Sequence, residues 1–398
     1  MGELEEFAEA LLDQLAVEIN EEKIISELSS KINEDSSFNV KFSTLEEISQ
    51  EIFPQMAQKV SQFFGIPINP LLKIEYPSLI EFKKMKGRKV FAEKTARIYV
   101  DELFDAVSNE SIEKISELIK KDTVKYLVYS TYAKSYISNI STTYGDYLDS
   151  IIYLNKFILS SYPQIILYKQ GMPFESRFEI VKSGFHGALK MTILEEQIHS
   201  IQDNLMNVNK AAVKEVNSIN EELAKIILGL DDQTASKLSE YLKMDAVPDD
   251  FPIAKRANLF FMLNPDNFIV NVLGPDVMTF TKVEIDPKIS EFIPQLLEIY
   301  QKWLKPIQTH HAAFTTMEGM AEFAVQNILK DDQDFQNYLT TFIGTDFSAY
   351  QVRKSMGKDF IQKVYAQHDK ATFKMLIENP PSTKELKDPQ IYLKRISH

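Results

Sequence analysis

Residues 193 to 203 read Ile193-Leu194-Glu195-Glu196-Gln197-Ile198-His199-Ser200-Ile201-Gln202-Asp203. From Met191 onward, Leu194, Ile198, Ile201 and Leu205 recur at helical spacing and form one apolar stripe, which predicts a helix. On it Glu195 and His199 stand one turn apart on the same face and Glu196 lies on the adjoining flank, so two carboxylates and one imidazole can converge. Taken alone, a Glu three or four residues before a His also suits a solvated helix face. A second stretch adds to the first: Glu318 and Glu322 in residues 317 to 323 are one turn apart, with His311 two turns before Glu318 on the same face. Gly319 between them has no capping role in mid-helix and costs stability there, so close approach of another helix is a physical reason for it. Ordinary helix packing around a small residue is the alternative.

Outward from these two stretches the chain reads as mainly helical. Leu4, Phe7, Leu11, Leu12, Leu15 and Ile19 mark an amphipathic helix whose first turn is acidic. A second is predicted from Ser43 and Thr44, with Glu46 and Glu47 as capping partners, to Gly65; Pro54 inside it could kink or divide it. Ser108 to Lys121, Tyr126 to Ile140, Val208 to Leu228 and Thr309 to Leu329 also carry helical patterns, while Asp231 to Asp250 is charged and ends near Pro248. Short strands are predicted at Ala96 to Val100 and Pro163 to Tyr168, and a hairpin at Phe268 to Val283 around Gly274 and Pro275. There is no internal repeat and no low-complexity tract.

Composition bounds the function. The 398 residues are 44% hydrophobic, enough for two domains or one large elaborated one. The 44 Lys and Arg against 57 Asp and Glu give a net charge of -13, which would repel phosphate backbones and anionic lipid, so neither nucleic acid nor a membrane is an expected partner. The densest basic run, Lys83, Lys84, Lys86, Arg88 and Lys89 around Gly87, reads as a solvated turn. Without cysteine, disulfides, thiolate zinc sites and cysteine nucleophiles are excluded, and any metal must use His, Asp or Glu. Glu3, Glu5 and Glu6 replace the basic start of a secretory signal, and no apolar run approaches the roughly 20 residues of a membrane helix, so a cytoplasmic protein is expected.

Four segments resemble the zinc-dependent peptidases of the zincin (gluzincin) fold, in particular those with a His-Glu-x-x-His-Ala-Leu-Gln helix and a later Glu-Gly-x-Ala helix. They are Ile193 to Asp203; Met317-Glu318-Gly319-Met320-Ala321-Glu322; Tyr350, Gly357 and Phe360, similar to the family's Tyr-x-x-x-x-x-x-Gly-x-x-Phe helix; and Pro380-Pro381-Ser382-Thr383-Lys384-Glu385 with Asp388-Pro389-Gln390-Ile391-Tyr392-Leu393. They occur in the family's order. The resemblance covers residues 151–398, where it implies a zincin-like domain with a small sheet and an insertion around 207–305, and leaves residues 1–150 unassigned; with the mainly helical pattern of that amino-terminal region, an α+β protein is expected. Carried over by position, it implies His199 and Glu318 as zinc ligands and Glu196 as the general base that activates water. Tyr350 could stabilise an oxyanion, as tyrosines do in related peptidases, or simply pack as a buried aromatic.

The departure is Glu195, which stands where the family has its first His. Three outcomes stay open. Glu195 could bind zinc or a harder ion through oxygen, giving a Glu, His, Glu site and a working peptide hydrolase. Alternatively its charge beside Glu196 could raise a carboxyl pKa and leave the site empty, so that the fold persists as a binding or scaffolding module for a peptide or protein. A third, carboxylate-rich two-metal site would join Glu195, His199, His311, Glu318 and Glu322, without the paired Glu-x-x-His repeats expected there. His186, between Gly184 and Gly187 in a predicted loop, is a candidate ligand from outside the helix or an ordinary exposed His; His310 is expected to face away from His311, and Trp303 to serve packing.

Overall fold

The computed structural model describes residues 2–34, 45–91, 93–137, 143–162, 178–247, 251–266, 282–341 and 349–397. The amino-terminal part carries helices α1 (Glu3–Glu34) and α2 (Leu45–Phe64), strand β1 (Lys73–Glu75), then α3 (Leu79–Val90), α4 (Lys94–Ser108), α5 (Ile112–Lys121) and α6 (Thr123–Ile137). Strands β2 (Gly145–Leu148) and β3 (Ile151–Leu154) follow, then α7 (Lys156–Ser160), α8 (Phe178–His199), α9 (Asp203–Leu228), α10 (Asp232–Tyr241) and α11 (Pro252–Leu263). The chain continues through α12 (Pro287–Phe292), α13 (Leu296–Ile328), α14 (Gln333–Thr341), α15 (Ala349–His368), α16 (Ala371–Glu378), α17 (Thr383–Lys387) and α18 (Pro389–Ile396). The described residues are thus mainly helical with one small sheet, an α+β arrangement. No helix among the described residues is long and apolar enough to cross a membrane.

The sheet has the order β1-β3-β2. β1 runs parallel to β3, pairing Ile74 with Ile152, and β2 and β3 form an antiparallel hairpin pairing Leu148 with Ile151. Asp149 and Ser150 at its tip both have positive φ, the backbone of a two-residue type I′ turn. Buried side chains from Ala8 in α1 to Leu393 in α18 belong to one hydrophobic cluster.

Helix α8 lies at the centre of this packing, against α2, α13, α14 and β2. Its contact with α14 is close enough that a Cβ on Gly187 would meet the Asp334 carbonyl oxygen at 2.1 Å. Lys190 braces the same contact, with its ammonium 2.8 Å from both Asp332 Oδ2 and Asp334 Oδ2, while the Ser183 hydroxyl donates to Asp334 Oδ1 at 2.5 Å. Replacing Lys190 with methionine leaves two half-buried carboxylates facing each other, and an expected loss of about 2 kcal/mol follows. Urea unfolding measures it; a change below about 0.5 kcal/mol would mean that solvent already screens the cluster.

Several expectations are corrected. Ala96 to Val100 is not a strand but part of α4, because Ala96, Tyr99, Val100, Leu103, Phe104 and Val107 bury one helical face while Ile98 points outward. The basic run is not a solvated turn but the body of α3: Lys83 is buried and pairs with Glu22 at 2.8 Å, Lys84 pairs with Asp105, and Lys89 pairs with Asp146. His186 lies within α8 rather than in a loop. Pro54 does not divide α2, which continues to Phe64 and stops at Gly65 with φ +68°. Residues 163–168 and 267–281, where a strand and most of a hairpin were expected, lie outside the described residues, as do Ser43 and Thr44.

Candidate functional site

Helix α8 ends in a tightened turn in which Ile201 N–H donates to the Ile198 carbonyl and Gln202 N–H to that of His199. This turn folds the wholly buried Gln202 beneath the imidazole. Gln202 Nε2 donates to the Met317 carbonyl at 3.2 Å, which leaves Gln202 Oε1 to accept from His199 Nδ1 at 2.8 Å. His199 Nδ1 therefore carries the proton in the neutral ring, and the lone pair of Nε2 faces Glu318 Oε1, 3.8 Å away.

Glu318 reaches this point because α13 and α15 touch backbone to backbone. A Cβ on Gly319 would lie 2.4 Å from Gly357 C, and one on Gly357 would lie 2.1 Å from the Thr315 carbonyl oxygen. One turn before Gly357, Lys354 enters the centre. Its Nζ donates to Glu195 Oε1 at 2.5 Å and lies 3.9 Å from Glu318 Oε2 and 3.8 Å from Glu322 Oε2. Burial pushes the Glu195 carboxyl pKa upward, but the Lys354 ammonium and His199 outweigh it and hold the group below its ordinary range.

Glu196 points to the other flank, buried, with no hydrogen-bond partner for Oε2 among the described residues. Burial first, then the charges of Asp146, Glu195 and Glu318, raise its pKa well above the carboxylate range, against the opposing pull of Lys89. These surroundings favour the protonated form of the carboxyl. Lys89 donates to Asp146 Oδ1, so α3 and β2 close this flank from the amino-terminal part of the chain.

Glu195, His199 and Glu318 each offer a ligand atom, and these atoms all lie within 4.8 Å of one another. One imidazole and two carboxylates match zinc in donor chemistry, and the 3.8 Å between His199 and Glu318 is short enough for two ligands bonding at about 2 Å to one ion. The ammonium is the obstacle. An ion bonded to Glu195 Oε1 at about 2 Å would sit within about 4.5 Å of Lys354 Nζ, where a double charge facing a single one costs on the order of 7 kcal/mol at an effective dielectric of about 20. The donors fit a divalent ion; the centre with Lys354 in place does not.

The chain matches no family model, no curated protein and no solved structure with which it was compared. Its chemistry rests on its own residues.

Four of the residues singled out from sequence, Glu195, Glu196, His199 and Glu318, meet in one place, and Glu322 joins them through Lys354. His311 does not: its Nδ1 accepts from Arg353 Nη1 at 2.8 Å, while His310 pairs with Asn209, so the five-residue two-metal arrangement is not assembled. His186 stays on α8 among Asp334, Lys182 and Lys190, its pKa lowered chiefly by burial. Tyr350 lies in the first turn of α15, and its side chain falls outside the described residues. Trp303 is fully buried and donates Nε1–H to Asp266 at 2.7 Å. Sequence reasoning missed Lys354, Lys89 and Asp146. Lys354 stands three residues before Gly357, one turn along the touching face of α15, but that spacing alone does not name its partner Glu195 on α8.

Proposed function

We propose that the chain is a metallopeptidase-like protein that has given up peptide hydrolysis and acts as a binding or scaffolding module for a peptide or protein. The observation that carries this reading is the ion pair between Lys354 and Glu195, the residue that replaces the family's first metal-binding His. The pair takes away one ligand and supplies a cation where the ion would act. Zincin-like architecture belongs to the same proposal and is supported by the order of the four resembling segments and by the meeting of α8 with the Glu318 helix.

A second reading keeps hydrolysis, with zinc held by Glu195, His199 and Glu318 and with Glu196 as base; the lone pair of His199 Nε2 turned toward Glu318 favours it. Incubating the full chain with a diverse peptide library, with added zinc and with chelator, separates the two. The expected result is no cleavage in either condition, together with retention of a subset of the peptides. Zinc-dependent turnover that disappears in Glu196→Gln would overturn the proposal and establish the hydrolase.

A further inference from the structure

We propose that Lys354 is the resident cation of this centre: its ammonium stands in for a divalent ion among Glu195, Glu318 and Glu322, and removing that one charge turns the cluster into a transition-metal site. The inference deepens the reading above in that it rests on a centre without metal, but it does not depend on the loss of hydrolysis.

Three carboxylates gathered in a half-buried space repel one another unless a positive charge joins them. Lys354 Nζ is 2.5 Å from Glu195, 3.9 Å from Glu318 and 3.8 Å from Glu322, so one ammonium serves all three. The neighbouring cation on α15, Arg353, turns away to His311 and to the ring of Phe314. The backbone contact of Gly357 with Thr315 and Gly319 brings this turn of α15 against α13, and the Lys354 side chain is buried there. What remains without the ammonium is a preorganised ligand set. His199 is oriented by Gln202 with Nε2 turned toward Glu318, and Glu318 and Glu195 supply oxygen within 4.8 Å. One imidazole with two carboxylates favours zinc or cobalt over calcium and magnesium, which prefer all-oxygen sites.

Titration of the full chain with cobalt(II) chloride, read by the visible absorption of the bound ion and by displacement with zinc, tests this. Lys354→Met is expected to bind one equivalent at least about 100-fold more tightly than the wild type, and Lys354→Arg to bind no better than the wild type. Should Lys354→Met fail to fold around its three carboxylates, the double variant Glu195→His with Lys354→Met conserves net charge, restores the missing imidazole and is expected to bind more tightly still. A wild type that binds cobalt as tightly as Lys354→Met would overturn the inference, as would a folded double variant that binds none. A wild type that binds no metal yet cleaves peptides would sink the functional reading and leave this one standing.

Discussion

Replacing Gly357 with alanine is expected to lower stability by about 3 kcal/mol, even though alanine is the better helix former by about 1 kcal/mol. The added Cβ would lie 2.1 Å from the Thr315 carbonyl oxygen and 2.9 Å from Gly319 Cα, and both are backbone atoms within the long helix α13. No side chain can swing aside, so the two helices must part by about 1 Å, opening voids along a buried seam that includes Met320, Phe360 and Ile361. Gly319→Ala meets the same seam from the other side, with its Cβ 2.4 Å from Gly357 C. Because either substitution already forces the separation, the double variant should lose much less than the sum of the two. Urea unfolding of the three variants measures this, with the exposed Ser355→Ala on the same helix as a control expected within about 0.5 kcal/mol of the wild type. A loss from Gly357→Ala no larger than that of the control would mean that the contact yields freely.

Several of the longer helices were legible because the core-facing residues recur at the helical period: Leu11 and Leu15 in α1, Leu194 and Ile198 in α8, and Met317, Met320 and Ala324 in α13 are all buried. Gly319 was read correctly as a point of close approach, since a glycine in mid-helix has few other physical reasons. The misreadings share a different cause. Ile98, Tyr99 and Val100 were weighed by β propensity although Ala96, Val100, Leu103 and Val107 kept the helical period, and packing of that face decided the outcome. The β2–β3 hairpin was missed because Asp149-Ser150 makes a turn that usually advertises itself as Asn-Gly or Asp-Gly.

Charge was the least legible feature. Lys83, Lys89 and Lys354 are ordinary surface residues by type, and their partners Glu22, Asp146 and Glu195 are distant in the chain, so no local spacing announces the pairs. The convergence of Glu195, His199 and Glu318 could be anticipated from helix geometry. The ammonium that enters between them could not, because its place is set by a crossing of α13 and α15 that the sequence marks only through two glycines.

Stability should fall steeply as pH drops from about 6.5 to about 4.5, by about 4 kcal/mol beyond what exposed carboxylates contribute, because two histidines on α13 are held neutral. Burial, and then Arg353, push the pKa of His310 down to about 4; burial, His310 and Arg353 push that of His311 to about 2. His311 Nδ1 accepts from the Arg353 guanidinium, so its proton sits on Nε2, buried without a partner among the described residues, and a second proton would place a charge beside Arg353. Above the ordinary histidine value of 6.5 both rings are neutral whether the chain is folded or not, and this stability is fully present. Below it the unfolded chain takes up protons that the folded chain refuses, at about 1.4 kcal/mol per pH unit for each ring. His310 is partly exposed and contributes less than its shift implies, so His311 carries the larger share. His311→Gln keeps an acceptor for Arg353 but cannot titrate, and over the same interval it should lose about 2 kcal/mol less than the wild type in urea unfolding. Equal losses in the two proteins would assign the acid sensitivity to carboxylates and remove the buried histidine pair from the account.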